Sequence, residues 1–298
     1  MLAASADAEW GIYVRFLDNG DEICIDADKQ LDTMSLIKVP LLVALMRRAE
    51  RGEVDLNRRI VLEEDHKRLG TGVFRLFDAG ASFTLRDAAT MMIVVSDNTA
   101  TDLCLEATGG VDAVNACMRE LGIVDVEMTG AALTWFRALA GSMDPELAGM
   151  APGELARRGY PELGPAGMSD ARARYHFEGG RPFSLASARG LGHLLTQIHE
   201  DRCAGTATCA EIRRILSAQQ MRQEIPKYLW GAAVASKTGN FEPFIASDIG
   251  IVTPAVGAPV VMCFLNQRHR GLRALLEDCV ARMAEAVTMA AEGRQGIY

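Results

Sequence analysis

Apolar and polar residues alternate with a period of two from Trp10 to Leu17, Trp-Gly-Ile-Tyr-Val-Arg-Phe-Leu, which is the pattern of a strand. Asp18-Asn-Gly-Asp21 follows, and its Asn-Gly pair favours a tight type I′ hairpin into a second strand near residues 22–26. From Ser35 the period lengthens: Leu41, Leu42, Leu45 and Met46 share one side of a helix, Arg47, Arg48 and Arg51 gather at its negative end, and Gly52 stops it. The spacing predicts a helix that begins abruptly at Ser35. Pro40, which costs one helix hydrogen bond, is tolerated best near such a start.

Helical periodicity dominates from about 53 to 225. Thr84-Leu-Arg-Asp87 resembles a capping box that opens a helix over 88–95, and 98–107 reads as another, closed by Gly109-Gly110. Between 129 and 182 the periodicity fades and Gly and Pro become frequent, which reads as a long surface excursion with short helices. Strand patterns return at 231–236, 245–253 and 258–265, and a last helix carries Leu272, Leu275, Leu276, Cys279, Met283 and Val287 as one apolar stripe. Strands at both ends around a helical middle predict one antiparallel sheet completed by the two termini, an α+β fold. No repeat or linker divides the chain, so residues 1–298 are expected to form one domain.

With 298 residues, 49% hydrophobic and 23% charged, the chain can bury a full core, which excludes a disordered tail, a collagen or a mini-protein. The net charge of −8 argues against nucleic acid and anionic lipid as partners and leaves small molecules. Seven cysteines (24, 104, 117, 203, 209, 263 and 279), several in apolar runs such as Val260-Val-Met-Cys-Phe-Leu265, read as buried free thiols. The first ten residues lack the basic start and long apolar stretch of a leader, and no apolar run approaches the roughly 20 residues a bilayer needs. A cytoplasmic protein is expected. The histidines at 66, 176, 193, 199 and 269 keep no metal-ligand spacing, and Gly70-Thr-Gly72 lacks the lysine and the strand-to-helix frame of a phosphate loop. No metal or cofactor is expected; the oligomeric state is not legible.

Three short segments carry chemistry: Ser35-Leu-Ile-Lys38, Ser96-Asp-Asn98 and Lys237-Thr-Gly239. Ser-x-x-Lys alone is expected about once by chance in a chain this long, but all three in this order are not. On a helix Ser35 and Lys38 share a face, and a first-turn serine places its oxygen where backbone N–H groups and the helix dipole favour developing negative charge. A serine hydroxyl is a poor nucleophile at neutral pH, so Lys38 must be neutral part of the time, which burial and a second cation, Lys237, bring about. Ser96 and Asn98 fall in the break between two helices, where Ser96 can pass a proton to the leaving group and Asn98 can hold Lys38 or a substrate amide. Their ordinary reading is a plain N-cap. Lys237-Thr-Gly239 reads as the end of a strand, with Gly239 letting a substrate backbone lie close against the edge.

In these motifs, and in Gly70-Thr-Gly-Val73, Ser35-Leu-Ile-Lys-Val-Pro40 and Met92-Ile-Val-Val-Ser-Asp-Asn-Thr-Ala100, the chain resembles the serine β-lactamase and penicillin-binding protein superfamily, and within it the leaderless class A β-lactamase-like hydrolases. The likeness covers nearly the whole chain. It implies a five-stranded antiparallel sheet packed by terminal helices (residues 1–34 and 226–298) in a three-layer α/β/α arrangement. A mostly helical lobe (35–225) with an irregular insertion at about 134–180 lies beside it, and the site sits between them. By the resemblance Ser35 is acylated, Lys38 is its base and Ser96 relays protons. Asn98 then binds the substrate amide, Lys237 and Thr238 hold a carboxylate or polar tail, and the backbone N–H groups of Ser35 and Asn240 form the oxyanion hole.

The chain departs from the class A pattern twice. Where class A enzymes carry the glutamate that activates the deacylating water, it reads Glu127-Met-Thr-Gly-Ala-Ala-Leu-Thr134, leaving Glu146, Glu154, Glu162, Asp170 and Glu178 as the candidates to reach back in its place. No arginine occurs in Asn240-Phe-Glu-Pro-Phe-Ile-Ala-Ser-Asp248, where those enzymes often anchor a carboxylate, and Glu242 and Asp248 oppose an anionic tail if they face the cleft. The expectation is a serine hydrolase acylated at Ser35 on a small amide, ester or β-lactam, with weak β-lactamase activity. The alternatives are a biosynthetic acyltransferase or amide-forming enzyme on the same scaffold, and a non-catalytic ligand-binding homologue.

Overall fold

The structure is a computed structural model that describes residues 7–293; the reading of the first residues as lacking a leader falls partly outside them. Strands β1 (Glu9–Phe16) and β2 (Glu22–Ile25) form the expected hairpin. Its turn is not type I′: of the turn residues only Gly20 takes a positive φ, +80°. Asp18 and Asn19 instead spend their side chains on backbone amides, Asp18 accepting from Asn19 N at 2.8 Å and Asn19 from Asp21 N at 2.9 Å, which widens the loop. The short strand β3 (Leu31–Asp32) and a 3-10 turn, Met34–Ile37, lead into helix α1 (Lys38–Glu50).

Next come β4 (Arg59–Val61), β5 (Ser82–Thr84), α2 (Leu85–Val94), α3 (Asn98–Thr108) and α4 (Val111–Glu120). The capping box at Thr84 and Asp87 is made on both sides. Helix α3 ends as expected on Gly109, left-handed at φ +94°. Strand β6 (Val126–Met128) precedes α5 (Ala132–Met143), α6 (Pro152–Arg158) and α7 (Gly164–Phe177), after which come β7 (Ser184–Ala186), α8 (Ala188–His199) and α9 (Thr206–Ser217). The chain closes with β8 (Ala233–Phe241), β9 (Ile245–Thr253), β10 (Val260–Gln267) and α10 (Arg273–Gly293).

The main sheet runs β2-β1-β10-β9-β8, antiparallel throughout, so the N-terminal hairpin zips onto the last strand through pairs such as Tyr13 with Cys263. Both faces are covered. On one, Tyr13, Ile249 and Cys263 join the large core that includes α1 and α8; on the other, Ile12, Val252 and Phe264 pack with Leu276, Val280 and Ala284 of α10. The buried seam of α10 differs from the predicted stripe: Leu272 and Leu275 are exposed, and Leu276, Cys279, Val280, Ala284 and Ala291 turn inward. Cys24 is likewise exposed, because β2 is an edge strand with no layer over it, whereas the other six thiols are buried. Among the described residues no helix is long and apolar enough to cross a membrane.

The stretch 129–182 carries the short helices expected of it, but it is not all surface: α5 buries Trp135, Phe136, Leu139 and Ala140, and Trp135 makes edge contacts with Phe136, Tyr175, Phe183 and Phe241 at ring separations of 5.1–5.8 Å. The apolar residues of α5 fall at helical spacing, but the glycines and prolines around them hide the period.

Candidate active site

Ser35 stands in the 3-10 turn, and α1 begins only at Lys38. The helix start predicted at Ser35 is therefore displaced by one tight turn, closed by Leu36 N–H donating to Thr33 O at 3.0 Å. Three residues complete a 3-10 turn, so Ser35 and Lys38 remain stacked on one side. Their surroundings differ: Ser35 is half-buried, and its hydroxyl makes no hydrogen bond among the described residues, whereas Lys38 is fully buried. The residue before the serine, Met34, is held at φ +45°, a strained backbone costing about 1–3 kcal/mol. Asp32 secures it by accepting the Met34 N–H at 3.0 Å.

Ser96 and Asn98 occupy the break between α2 and α3, and Ser96 is also left-handed, at φ +55°. The N-cap duty falls on the residue between them: Asp97 accepts from Ala100 N at 2.9 Å and also from Val73 N at 2.7 Å and Phe74 N at 2.8 Å. That leaves Ser96 and Asn98 to meet Lys38, whose Nζ lies 2.7 Å from Ser96 O, 3.0 Å from Ser96 Oγ and 2.8 Å from Asn98 Oδ1. Asn98 Nδ2 donates to Leu69 O at 3.0 Å, which turns its oxygen toward the lysine. Lys237 Nζ reaches the same Ser96 Oγ at 3.1 Å. Burial holds Lys38 well below the usual lysine range and the charge of Lys237 adds to the effect. Lys237 is itself lowered to about 7 by burial, against the opposing pull of Asp248 and Glu224.

Strand β8 includes Lys237, Thr238 and Gly239, as expected, and runs two residues further to Phe241, because β9 pairs with it over its full length. Gly239 allows a close approach that the protein itself makes: a Cβ there would stand 2.4 Å from Thr33 O and 2.8 Å from Leu36 Cγ, so the serine turn presses on this point of the strand. Thr238 Oγ1 lies 3.3 Å from Met221 Sδ, and Asn240 Nδ2 donates to Glu224 Oε1 at 3.1 Å. Glu224 and Asp248 are both fully buried, and burial raises both carboxyls, with the charge of Glu277 adding to it at Glu224 and that of Glu224 at Asp248.

A cavity of about 800 Å³ opens where these elements meet. Of the predicted residues Ser35, Ser96, Asn98, Thr238 and Asn240 line it, while Lys38 and Lys237 sit behind that lining with no exposed surface. The facing wall is Trp135, Phe136 and Leu139 of α5 with Tyr160 and Phe183.

A model described as the β-lactamase enzyme family matches residues 1–290. The chain belongs to this family. Among solved structures, a β-lactamase from Sphaerobacter thermophilus superposes with a TM-score of 0.77 at 23% identity, over 97% of this chain and 95% of that one. A β-lactamase from Chitinophaga pinensis does so with 0.77 at 19%, over 97% and 96%. A mutant of PBP-A, solved as an acyl-enzyme with penicillin G, gives 0.74 at 20%, over 97% and 92%. Among curated sequences, the β-lactamase regulatory protein BlaB of Streptomyces cacaoi is 36% identical over 115 residues, 38% of this chain. The match spans about a third, 36%, of that relative's length.

Within the β-lactamase enzyme family scaffold, the cleft of this chain has its own charge pattern. Glu146, Glu154, Glu162, Asp170 and Glu178 are all exposed and none lines the cavity, and Glu127 is exposed too. The carboxylates that do line it are Glu242 and Glu277, both bonded to Arg273. Sequence reasoning missed Arg273, since it arrives from the start of α10, far in sequence from the segment Asn240–Asp248. Asp248 lies buried behind the strand rather than facing the cleft. Sequence reasoning also missed Arg172 and Tyr160, which reach the cavity from the insertion.

Proposed function

We propose that the protein is a serine hydrolase that forms an acyl-enzyme at Ser35 on a small amide, ester or β-lactam, without metal or organic cofactor. The observation that carries this reading is the convergence of two fully buried lysines on Ser96 Oγ, beside the cavity that Ser35 lines. Ser35 Oγ attacks the carbonyl carbon and its proton passes to neutral Lys38. As the intermediate collapses, the bond to the leaving group breaks and Ser96 relays that proton to it. Lys237 and Thr238 hold a polar tail, Asn98 a substrate amide, and the backbone N–H groups of Ser35 and Asn240 receive the oxyanion. Thiols rather than disulfides at Cys104, Cys117, Cys203, Cys209 and Cys263 are in keeping with a cytoplasmic setting.

A second reading, an acyltransferase in which an amine takes the acyl group, is favoured by the lack of a free carboxylate on the cavity wall to activate water. A non-catalytic role, in line with the regulatory name of the Streptomyces relative, predicts an adduct that no acceptor releases. Intact-mass measurements over time with penicillin, cephalosporin and simple ester probes separate the three. The expected result is rapid gain of one acyl mass, absent in Ser35→Ala; labelling that persists in Ser35→Ala refutes the assignment. Steady release in buffer supports hydrolysis, and release only on addition of an amine supports transfer.

A further inference from the structure

Arg172 of α7 lines the same cavity as Ser35. It joins no ion pair among the described residues, and its Nε is buried without a hydrogen-bond partner. The acidic residues nearest in sequence, Asp170 and Glu178, face solvent. The other cavity arginine, Arg273, is already taken by Glu242 and Glu277. A guanidinium that is partly desolvated and lacks a counter-ion is an unusual thing to bring into a cleft, because removing it from water costs energy that only an anion returns. Tyr160, which feels the charge of Arg172, lines the same cavity. Burial pushes its phenol up, so the hydroxyl stays protonated and able to donate. Trp135 and Phe183 line the same cavity and make part of it aromatic.

We propose that Arg172, with Tyr160, is a specificity site for a carboxylate at the far end of an apolar or aromatic acyl arm. A single guanidinium balances one negative charge and its fork matches a carboxylate, whereas a phosphate dianion would leave a charge uncompensated. The natural acyl donor is therefore a compound with an acid group on its acyl side. Elsewhere in the lining Glu242 and Glu277 outnumber Arg273, so their surroundings suit a neutral or cationic group.

The kinetic test rests on acylation at Ser35; a binding test does not. Activated phenylacetyl esters carrying a para carboxylate, carboxamide or aminomethyl group are compared by kcat/KM. The wild type is expected to prefer the carboxylate over the carboxamide by about 10- to 100-fold, the range of hydrogen bonds to charged groups. Arg172→Gln brings that ratio near one, Arg172→Lys keeps part of it, and Arg172→Glu turns the preference toward the ammonium. Because each variant is judged by a ratio within itself, partial misfolding does not mimic the effect. The unreactive phenylacetamides with the same three groups, titrated calorimetrically into Ser35→Ala, are expected to bind in the same order. Binding in that order without acylation of the wild type sinks the acyl-enzyme reading and leaves this site standing. Acylation with a ratio near one, or a ratio that Arg172→Gln and Arg172→Glu leave unchanged, overturns the site.

Discussion

Lys38 Nζ meets Ser96 twice, at the carbonyl oxygen (2.7 Å) and at Oγ (3.0 Å), although the two residues are 58 positions apart. The contact exists because Ser96 is held left-handed, which turns both its oxygens toward the lysine. Lys38→Met keeps the volume of the buried side chain and removes the proposed base. Acylation is expected to slow by about 10²- to 10⁴-fold, the usual worth of general-base help. Stability is expected to change little, since losing three hydrogen bonds is offset by removing a buried amine. Single-turnover acylation together with urea unfolding checks this: a variant as stable as wild type that still acylates within tenfold would remove Lys38 from the mechanism.

Acylation should rise with pH and level off below the ordinary lysine value of 10.5, because burial and Lys237 hold Lys38 well under it. Lys237→Gln removes the neighbouring charge, lets Lys38 keep its proton to higher pH, and shifts the profile in the alkaline direction. The same groups make stability depend on pH. Lys237 titrates near 10.5 in the unfolded chain and at about 7 in the fold, so between those values the unfolded chain binds more protons and stability climbs with pH. Its contribution is complete above 10.5 and is lost as pH falls toward 7. Glu224 and Asp248, raised in the fold, act in the opposite sense: their contribution is complete below the ordinary carboxylate range and lost as pH rises through their folded values. Urea unfolding from pH 7 to 10.5 is expected to show a rise in wild type that flattens in Lys237→Met; an unchanged slope would mean that Lys237 titrates normally.

Much of this arrangement was legible in the order of residues, and the failures have physical causes. The strands at the two ends, the Thr84 capping box and the Gly109 stop are local signals; the box and the stop are realised in place, and the strands with their ends shifted by a few residues. The three motifs do come together, but no local rule tells a 3-10 turn at Ser35 from the first turn of an α-helix; the turn is imposed by Asp32 on one side and by β8 on the other. The wall formed by 129–182 was missed because its ordering is tertiary, aromatic rings packing onto Trp135, while its sequence is rich in Gly and Pro. Arg172 and Arg273 carry no motif, and only the fold brings them to the cleft.

Gly72 ties the loop before the site to Asp97. Its φ is +118°, and a Cβ there would stand 2.4 Å from the Asp97 carboxylate, which is also holding the amides of Val73 and Phe74. Gly80 is a natural control, since it too has positive φ, +95°, but nothing lies within 4 Å of its Cβ position. Gly80→Ala should cost only the backbone strain, about 1–2 kcal/mol. Gly72→Ala should cost more, about 3–4 kcal/mol, because the carboxylate must move and release its bonds. Equal midpoints in chemical denaturation would show that Asp97 shifts freely and does not fix the loop.

Trp135 joins the insertion to the main sheet. Its ring meets Phe241 of β8 at 5.3 Å with the planes at 88°, and its Nε1 donates to Arg181 O at 2.9 Å. Truncation to alanine removes the hub of the aromatic cluster and should cost about 3–5 kcal/mol. Trp135→Phe keeps an edge for Phe241 and loses chiefly the N–H, so its cost should be nearer 1–2 kcal/mol. Ser35, Lys38 and Ser96 owe none of their hydrogen bonds to this residue, so the phenylalanine variant should raise KM for ester probes with aromatic acyl arms more than it lowers kcat. A matching fall in kcat with KM unmoved would mean that the aromatic wall positions the serine turn rather than the acyl arm.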